Sequence, residues 1–154
     1  VCSSDLIVNE INALGGNIQN AYGISKEELK AAIPCGIGKI NVDTDIRLAV
    51  TRNFRELFRD HPELKDDPKA GGVWKLLDEK RDAFDPRAFL APIMDTVMYG
   101  TGDEGAVARI TDAMRRGVKE AVGTLIVEFG SYGKAPLVEP ATLEDMAARY
   151  AKEG

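Results

Sequence analysis

The sequence has little histidine and cysteine, no long apolar run and no excess of basic residues, and each shortage excludes a class of protein. Its single histidine, His61, has charged neighbours, which favour a surface position over a metal site. Cys2 and Cys35 lack zinc-ligand spacing and the density of a secreted disulfide scaffold, so we expect free thiols and a cytoplasmic location. No apolar run approaches the roughly 20 residues that cross a bilayer, which argues against a membrane protein. A net charge of −5, from 20 basic and 25 acidic residues, offers no basic surface to nucleic acid.

Length and hydrophobic content predict one folded domain. The chain has 154 residues, of which 44% are hydrophobic. A chain of about 150 residues buries roughly 70% of its unfolded surface, which is enough for a real core. It is too short for a large barrel.

Periodicity and capping signals predict two short helices followed by a strand. Apolar residues over 5–14 have helical spacing and stop at a pair of glycines. Ser25 and Glu28 form a capping-box pattern that begins a helix over 26–33. The run "CGIGKINV" then has β-branched residues with glycine before them and polar residues after them, which predicts a strand over 38–42.

The middle of the chain predicts a helix and then a surface insertion. Residues 44–59 have a period close to 3.6, with Asp43 or Thr44 as the natural N-cap. The stretch 60–84 is rich in charge and is predicted to contain a short helix around Trp74. This composition is typical of an insertion that alters a surface or a subunit contact.

The last 70 residues are predicted to form mostly helices. Asp85 is a cap with proline next to it, and a bend is expected at Pro92. A long helix over 103–129 and a final amphipathic helix follow. The long helix carries an apolar stripe that predicts a core or a subunit contact and comprises Val107, Ile110, Met114, Val118 and Val122.

A single strand among many helices is not a self-contained α/β domain. A lone strand leaves backbone donors and acceptors unpaired along both edges. Either the protein is all helical, or the chain is one piece of a larger sheet or barrel.

The predicted strand ends in a polar run, "NVDTDIR", over residues 41–47. Where a strand leads into a helix N-terminus, backbone N–H groups and the helix dipole favour an anion. Thr44 adds a hydroxyl donor, and Arg47 can bind a phosphate through two parallel hydrogen bonds. The same residue types also fit a plain helix cap with a solvated arginine, so spacing alone leaves both interpretations open.

A longer stretch of the sequence decides between these two interpretations of residues 41–47. "GISKEELKAAIPCGIGKINVDTDIRLAVTRNFRELF", then "FDPRAFLAPIMDTV", then "FGSYGKA" and "LEDMAARYAKEG" resemble, in this order, the C-terminal part of the class II, zinc-dependent fructose-1,6-bisphosphate aldolases. The related tagatose-bisphosphate aldolases share much of this pattern. The resemblance implies an α/β fold, the C-terminal part of a (β/α)8 TIM barrel, in which "GKINVDT" is strand eight and 44–59 its helix; the chain itself would be mostly helical.

The resemblance also implies roles. In such enzymes a zinc ion stabilises the enediolate formed when fructose 1,6-bisphosphate is cleaved to dihydroxyacetone phosphate and glyceraldehyde 3-phosphate. By motif, Asn41, Val42, Asp43 and Thr44 would hold dihydroxyacetone phosphate. Arg47 matches the arginine that binds the phosphate of the glyceraldehyde half, often from a neighbouring subunit, so a homo-oligomer is expected.

Several parts of the family pattern are missing. The three histidine ligands of zinc and the general-base aspartate have no counterpart in this sequence, so we expect the chain alone to be inactive. Residues 1–6 are expected to be a non-native leader, joined to 7–154 as the C-terminal portion of one aldolase domain. The alternative from another class is a non-catalytic helical module, in which the stripe over 107–122 binds a partner and the run 41–47 only caps a helix.

Overall fold

The computed structural model describes residues 3–19, 24–138 and 141–153. Of the predicted leader, residues 1 and 2 lie outside this description, and residues 3–6 begin the first helix. Short 3-10 helices lie at Ile33–Cys35, Pro62–Asp66, Pro86–Ala88, Ala91–Ile93 and Ala135–Leu137. The α-helices of the described residues are α1 (Ser3–Ala13), α2 (Lys26–Ala32), α3 (Thr44–Asp60), α4 (Ala70–Glu79), α5 (Met94–Tyr99), α6 (Gly105–Glu128) and α7 (Leu143–Glu153).

The helix predicted over 26–33 is confirmed as α2, and so is its capping box. The Ser25 hydroxyl accepts a hydrogen bond from the Glu28 N–H at 3.2 Å, and a Glu28 carboxylate oxygen accepts one from the Ser25 N–H at 3.0 Å. Each bond satisfies a backbone donor that the first helical turn leaves without an intrahelical partner.

The strand predicted over 38–42 is wrong for this structure. Residues 37–43 have no regular secondary structure, and most of their side chains are exposed. A strand is stable only beside another strand that pairs with its backbone groups, and the described ranges contain none. The mostly helical character is therefore confirmed, while the strand of the α/β prediction is not observed.

The main core surrounds α3. Phe54 and Phe58 of α3 are fully buried, and Phe54 meets Phe89 edge to face with ring centroids 5.8 Å apart. At Gly117, α6 comes so close to α3 that an added Cβ would lie 2.7 Å from the Val50 Cα and 2.8 Å from the Ala49 carbonyl oxygen. These two long helices are therefore in direct backbone contact at that point.

The prediction that 60–84 is a surface insertion is wrong. Ala70, Val73 and Leu77 of α4 are fully buried, and Leu64 in the preceding 3-10 helix is nearly so. Trp74 packs on Phe58 with ring centroids 5.4 Å apart. The apolar residues of α4 recur at i, i+3 and i+7, a helical face that the many charges around it conceal in the sequence. This segment is part of the core.

A smaller cluster fixes α1 against the other side of α3. It comprises Val8 and Ile11 of α1 with Ile18 and Leu48. At its edge Arg52 of α3 forms an ion pair with Glu10 of α1 at 3.0 Å and another with Glu120 of α6. One arginine thereby links three helices.

The apolar stripe of α6 divides between two environments. Val107 and Ile110 are buried in the main core and Met114 packs against it. Val118 and Val122 each keep 38% of their surface exposed. Across the described ranges, no helix has both the length and the apolar character that crossing a bilayer requires.

Candidate site at the start of α3

The polar segment 41–44 leads directly into α3. Asp43 occupies the N-cap position, where its backbone carbonyl accepts from the Arg47 N–H at 3.0 Å. The Asp43 side chain makes no capping hydrogen bond to the helix backbone. It is directed to Arg47 instead, so the N-cap predicted at Asp43 is confirmed in position while its carboxylate has a different partner.

Arg47 is held by two carboxylates. Its Nε lies 2.7 Å from one carboxylate oxygen of Asp43, and a terminal nitrogen lies 2.5 Å from the other, which is a bidentate ion pair. Its second terminal nitrogen donates to the Asp85 carboxylate at 2.7 Å. Because all three guanidinium nitrogens are engaged, the orientation of this cation is fixed.

Asp85 carries a second arginine. It accepts from the Arg87 backbone N–H at 3.0 Å and from the Arg87 side chain at 3.0 Å and 2.5 Å. The side-chain hydrogen bonds from Arg87 are the main reason that the pKa of Asp85 is lowered to about 2. The backbone hydrogen bond and the positive charge of Arg47 lower it as well. The carboxylate is ionised at neutral pH and holds two guanidinium groups together.

A partly buried hydrogen bond explains why Asp85 lies beside Arg47 although the two residues are 38 positions apart. Thr51 of α3, one turn beyond Arg47, is fully buried and donates its hydroxyl proton to the Phe84 carbonyl at 2.9 Å. This bond ties the residue before Asp85 to α3. The body of the protein therefore sets the position of the second carboxylate.

The structure brings together some of the predicted site residues. Asp43 and Arg47 are in direct contact, and Asn41, Val42 and Thr44 lie in the same short segment, with Asn41 exposed and the other two half-buried. Sequence reasoning missed Asp85 and Arg87 as members of the cluster. The sequence Asp-Pro-Arg at 85–87 was noted, but it indicated only a helix cap.

The described residues do not fit a zinc site. His61 lies at the end of α3 with its Nδ1 3.2 Å from a Glu63 carboxylate oxygen. Asp43 and Asp85 face arginine side chains rather than each other. Over the ranges that the structure describes, no group of three or more histidine, cysteine, aspartate or glutamate side chains is placed to hold a metal ion.

Comparison with known proteins places the chain in a family. Residues 17–134 match the family model described as fructose-bisphosphate aldolase class-II. No solved structure matches the chain significantly. The chain is similar to the fructose-bisphosphate aldolase class 2 of Synechocystis sp., with 32% identity over 145 residues, which are 94% of this chain and 29% of that protein.

Two further relatives have similar identity to this chain and similar coverage of both proteins. The fructose-bisphosphate aldolase of Xanthobacter flavus is 32% identical over 94% of this chain and 30% of its own length. The fructose-bisphosphate aldolase 2 of Cereibacter sphaeroides is 31% identical over 92% of this chain and 28% of its own length. The chain thus spans less than a third of these curated relatives. Because the family model covers well over half of its residues, this chain belongs to the class II fructose-bisphosphate aldolase family.

Proposed function

We propose that this chain is the C-terminal part of an aldolase that reversibly cleaves fructose 1,6-bisphosphate to dihydroxyacetone phosphate and glyceraldehyde 3-phosphate. The observation that carries the proposal is the pair of guanidinium groups, Arg47 and Arg87, on the shared carboxylate of Asp85, beside the polar segment 41–44. Family membership supplies the substrate class, a sugar phosphate.

The paired arginines suit a phosphate group. The three ion-pair contacts of Arg47 use three of its five N–H groups. The side chain of Arg87 is 74% exposed. Asp85, ionised at neutral pH, holds both cations in place, so an incoming phosphate meets donors that are already oriented. We assign the phosphate of the glyceraldehyde half to this cluster, with Arg47 as its principal ligand.

The segment before α3 is assigned to the other half of the substrate. Asn41, Val42, Asp43 and Thr44 would hold dihydroxyacetone phosphate, with the Asn41 amide near the reacting carbons. Asp43 and Thr44 would serve the hydroxyl and phosphate ends. The N-terminus of the 17-residue helix α3 lies at this segment, and its dipole favours an anionic group there.

Bond cleavage itself needs groups that this chain does not provide. In the whole enzyme a zinc ion would polarise the ketone, and its ligands would come from the part of the relatives that this chain does not span. We therefore expect the 154-residue chain to lack cleavage activity alone. The whole enzyme is expected to be a cytoplasmic homo-oligomer.

Two alternatives remain distinct from this proposal. A tagatose-bisphosphate aldolase would use the same phosphate ligands with a sugar of different stereochemistry. A non-catalytic helical module is favoured by one observation, namely that the described residues pack a main core around α3 without any strand.

A chimeric enzyme tests the proposal. The matching 145-residue segment of the Synechocystis relative would be replaced by that of this chain, and cleavage of fructose 1,6-bisphosphate would be measured. Arg47→Ala should lower kcat/KM by about 10- to 100-fold, because a hydrogen bond to a charged group contributes about 1.5–3 kcal/mol. Arg59→Ala is the matched control, since Arg59 lies at the far end of α3 and pairs with Asp60.

Equal kinetics of the two variants in an active chimera would contradict the role of Arg47. If the chimera does not fold, calorimetric titration of the chain itself with fructose 1,6-bisphosphate compares the same two variants. Tagatose 1,6-bisphosphate in parallel assays distinguishes the two sugars. A chain that unfolds cooperatively but binds neither sugar phosphate would support the helical module instead.

A further inference from the structure

The segment 80–85 connects α4 to the arginine cluster. It contains neither helix nor strand, so its course depends on the elements that lie beside it. Two of its backbone carbonyls accept hydrogen bonds from other parts of the protein. The Asn17 N–H donates to the Arg81 carbonyl at 2.8 Å, and the Thr51 hydroxyl donates to the Phe84 carbonyl at 2.9 Å. The second bond lies at the residue immediately before the carboxylate that both arginines share.

The Thr51 hydroxyl makes a tertiary contact rather than a contact within its own helix. A threonine hydroxyl in the middle of a helix commonly donates its single proton to the carbonyl four residues earlier. Thr51 donates it instead to Phe84, 33 positions away, and its side chain is fully buried. Valine has nearly the same shape and buries no polar group, so packing alone does not require a threonine at this position. The hydroxyl therefore serves the segment 80–85.

Two consecutive residues of this segment bond two consecutive turns of α3. The Phe84 carbonyl accepts from Thr51, and the Asp85 carboxylate accepts from Arg47 at 2.7 Å, one turn earlier on the same face of the helix. The side chains of Arg47 and Asp85 are 30% and 28% exposed, and an ion pair that solvent reaches contributes little stability. Without the Thr51 hydroxyl, the half-buried Phe84 carbonyl would lose its partner, which is costlier. The Thr51 bond therefore holds the segment more firmly than the ion pair does.

We propose that Thr51 is a positioning residue for the phosphate of the glyceraldehyde half. Through the Phe84 carbonyl it sets the place of Asp85, and Asp85 in turn orients the guanidinium groups of Arg47 and Arg87. This inference rests on the proposed function, which assigns that phosphate to the two arginines. Thr51 does not touch the substrate, because its side chain has no exposed surface. Its hydroxyl acts on the affinity for the phosphate only by way of Asp85.

The first test measures the contact between Asp85 and Arg47 in the chain itself. NMR titration gives the pKa of the Asp85 carboxyl in the unmodified chain and in Thr51→Val, which removes the hydroxyl and keeps the shape of the side chain. Because the charge of Arg47 is one of the causes that lower this pKa, we expect it to rise in Thr51→Val. Thr96→Val is the matched control, since Thr96 is also buried and donates to a backbone carbonyl, that of Thr101, at 2.6 Å. An unchanged pKa in Thr51→Val, or the same rise in Thr96→Val, would overturn the proposal.

The second test uses the chimeric enzyme with two substrates. Fructose 1-phosphate lacks the phosphate of the glyceraldehyde half, so its cleavage at the same carbon–carbon bond does not need the arginine pair. Thr51→Val should lower kcat/KM for fructose 1,6-bisphosphate by about 3- to 10-fold, mainly through KM, as expected for the loss of one hydrogen bond. It should leave kcat/KM for fructose 1-phosphate unchanged, and Thr96→Val should lower neither. An equal loss on both substrates in Thr51→Val would indicate a general structural defect and would contradict the positioning role.

Arg47→Ala in the same chimera separates failure of this inference from failure of the proposed function. If Arg47→Ala lowers the preference for fructose 1,6-bisphosphate over fructose 1-phosphate and Thr51→Val does not, Thr51 is not a positioning residue, while the phosphate assignment stands. If Arg47→Ala leaves the preference unchanged, the phosphate assignment itself is wrong and the inference falls with it. In the expected case, Thr51→Val has a smaller effect when added to Arg47→Ala than it has alone, because both act on the same contact.

Two smaller substitutions cover the case in which Thr51→Val does not fold. Thr51→Ser and Thr51→Ala both remove the methyl group and differ only in the hydroxyl. Thr51→Ser should keep the preference for fructose 1,6-bisphosphate, and Thr51→Ala should lower it. If Thr51→Ser folds and neither variant without the hydroxyl does, the hydroxyl holds the body of the protein rather than the site, and the proposal is overturned.

Discussion

The apolar residues of α6 have similar spacing in its two halves but are covered to different extents. In the first half, Val107 and Ile110 are buried against α3 and α4. In the second half, Val118, Val122 and Ile126 each keep more than a third of their surface exposed. The helical period identifies which residues share a face, whereas the neighbouring element decides whether that face is covered. The first half of α6 therefore belongs to the packed core, whereas the second half carries apolar residues that no described element of the chain covers.

Truncation of the packed body should produce the largest effect. Phe54 is fully buried and touches Phe89, so Phe54→Ala should lower the free energy of unfolding by about 3–5 kcal/mol. Leu137 is exposed, so Leu137→Ala should change it by less than about 0.5 kcal/mol. Urea denaturation of both variants measures the contrast. Similar losses would mean that the core does not lie around α3.

Two glycines of α6 compare a closely packed position with an open one. At Gly117 an added methyl group would meet the α3 backbone at less than 3 Å, so Gly117→Ala should destabilise the protein by about 1–3 kcal/mol. At Gly123 nothing lies within 4 Å of the added Cβ. Because alanine favours a helix over glycine by about 1 kcal/mol, Gly123→Ala should stabilise the protein.

Thermal unfolding of the two glycine variants gives the test. Opposite shifts of Tm are expected from one chemical change. A shift of the same sign in both variants would contradict the close crossing of α3 and α6 at Gly117.

Much of the fold could be predicted from local patterns. The capping box at Ser25 and Glu28 located α2, and apolar spacing located α3 and α6, because these signals depend on residues within a few turns. The structure of residues 38–42 could not be predicted from the local sequence. The residues "KINV" suit a strand, but they do not show whether a partner strand is present. The buried face of α4 was hidden by the charges between its apolar residues.

The candidate site was predictable only in part. Arg47 was identified because a guanidinium near the start of the predicted helix can bind a phosphate through two hydrogen bonds and because the motif resembles that of the family; its ion pair with Asp43, four positions earlier, was not predicted. Tertiary structure brings Asp85 into the site, through the hydrogen bond from the Thr51 hydroxyl to the Phe84 carbonyl. No periodic pattern in the sequence relates position 85 to position 47. Whether the described residues have the function of the relatives is tested by the chimera and not by these patterns.

The smallest expected effect lies at the junction between the packed body and the exposed segment 37–43, where Asp85 binds Arg47. The pKa of Asp85 is lowered from 3.8 to about 2, so the unfolded chain binds this proton more readily than the folded one. The contribution of Asp85 to stability is therefore fully present above about pH 4 and is lost as the pH falls towards about 2. Asp85→Asn keeps an oxygen that can accept from the Arg87 N–H but removes the charge, and should cost about 0.5–1 kcal/mol at neutral pH.

Urea denaturation at several pH values between about 2 and 7 measures this contribution. The free energy of unfolding of Asp85→Asn should fall less steeply than that of the unmodified chain between about pH 4 and pH 2. Asp66→Asn, an exposed aspartate outside the cluster, serves as the control and should follow the unmodified chain. Parallel curves for all three proteins would mean that Asp85 gains nothing from its two arginines, and the oriented pair of cations assigned to the phosphate would lose its physical basis.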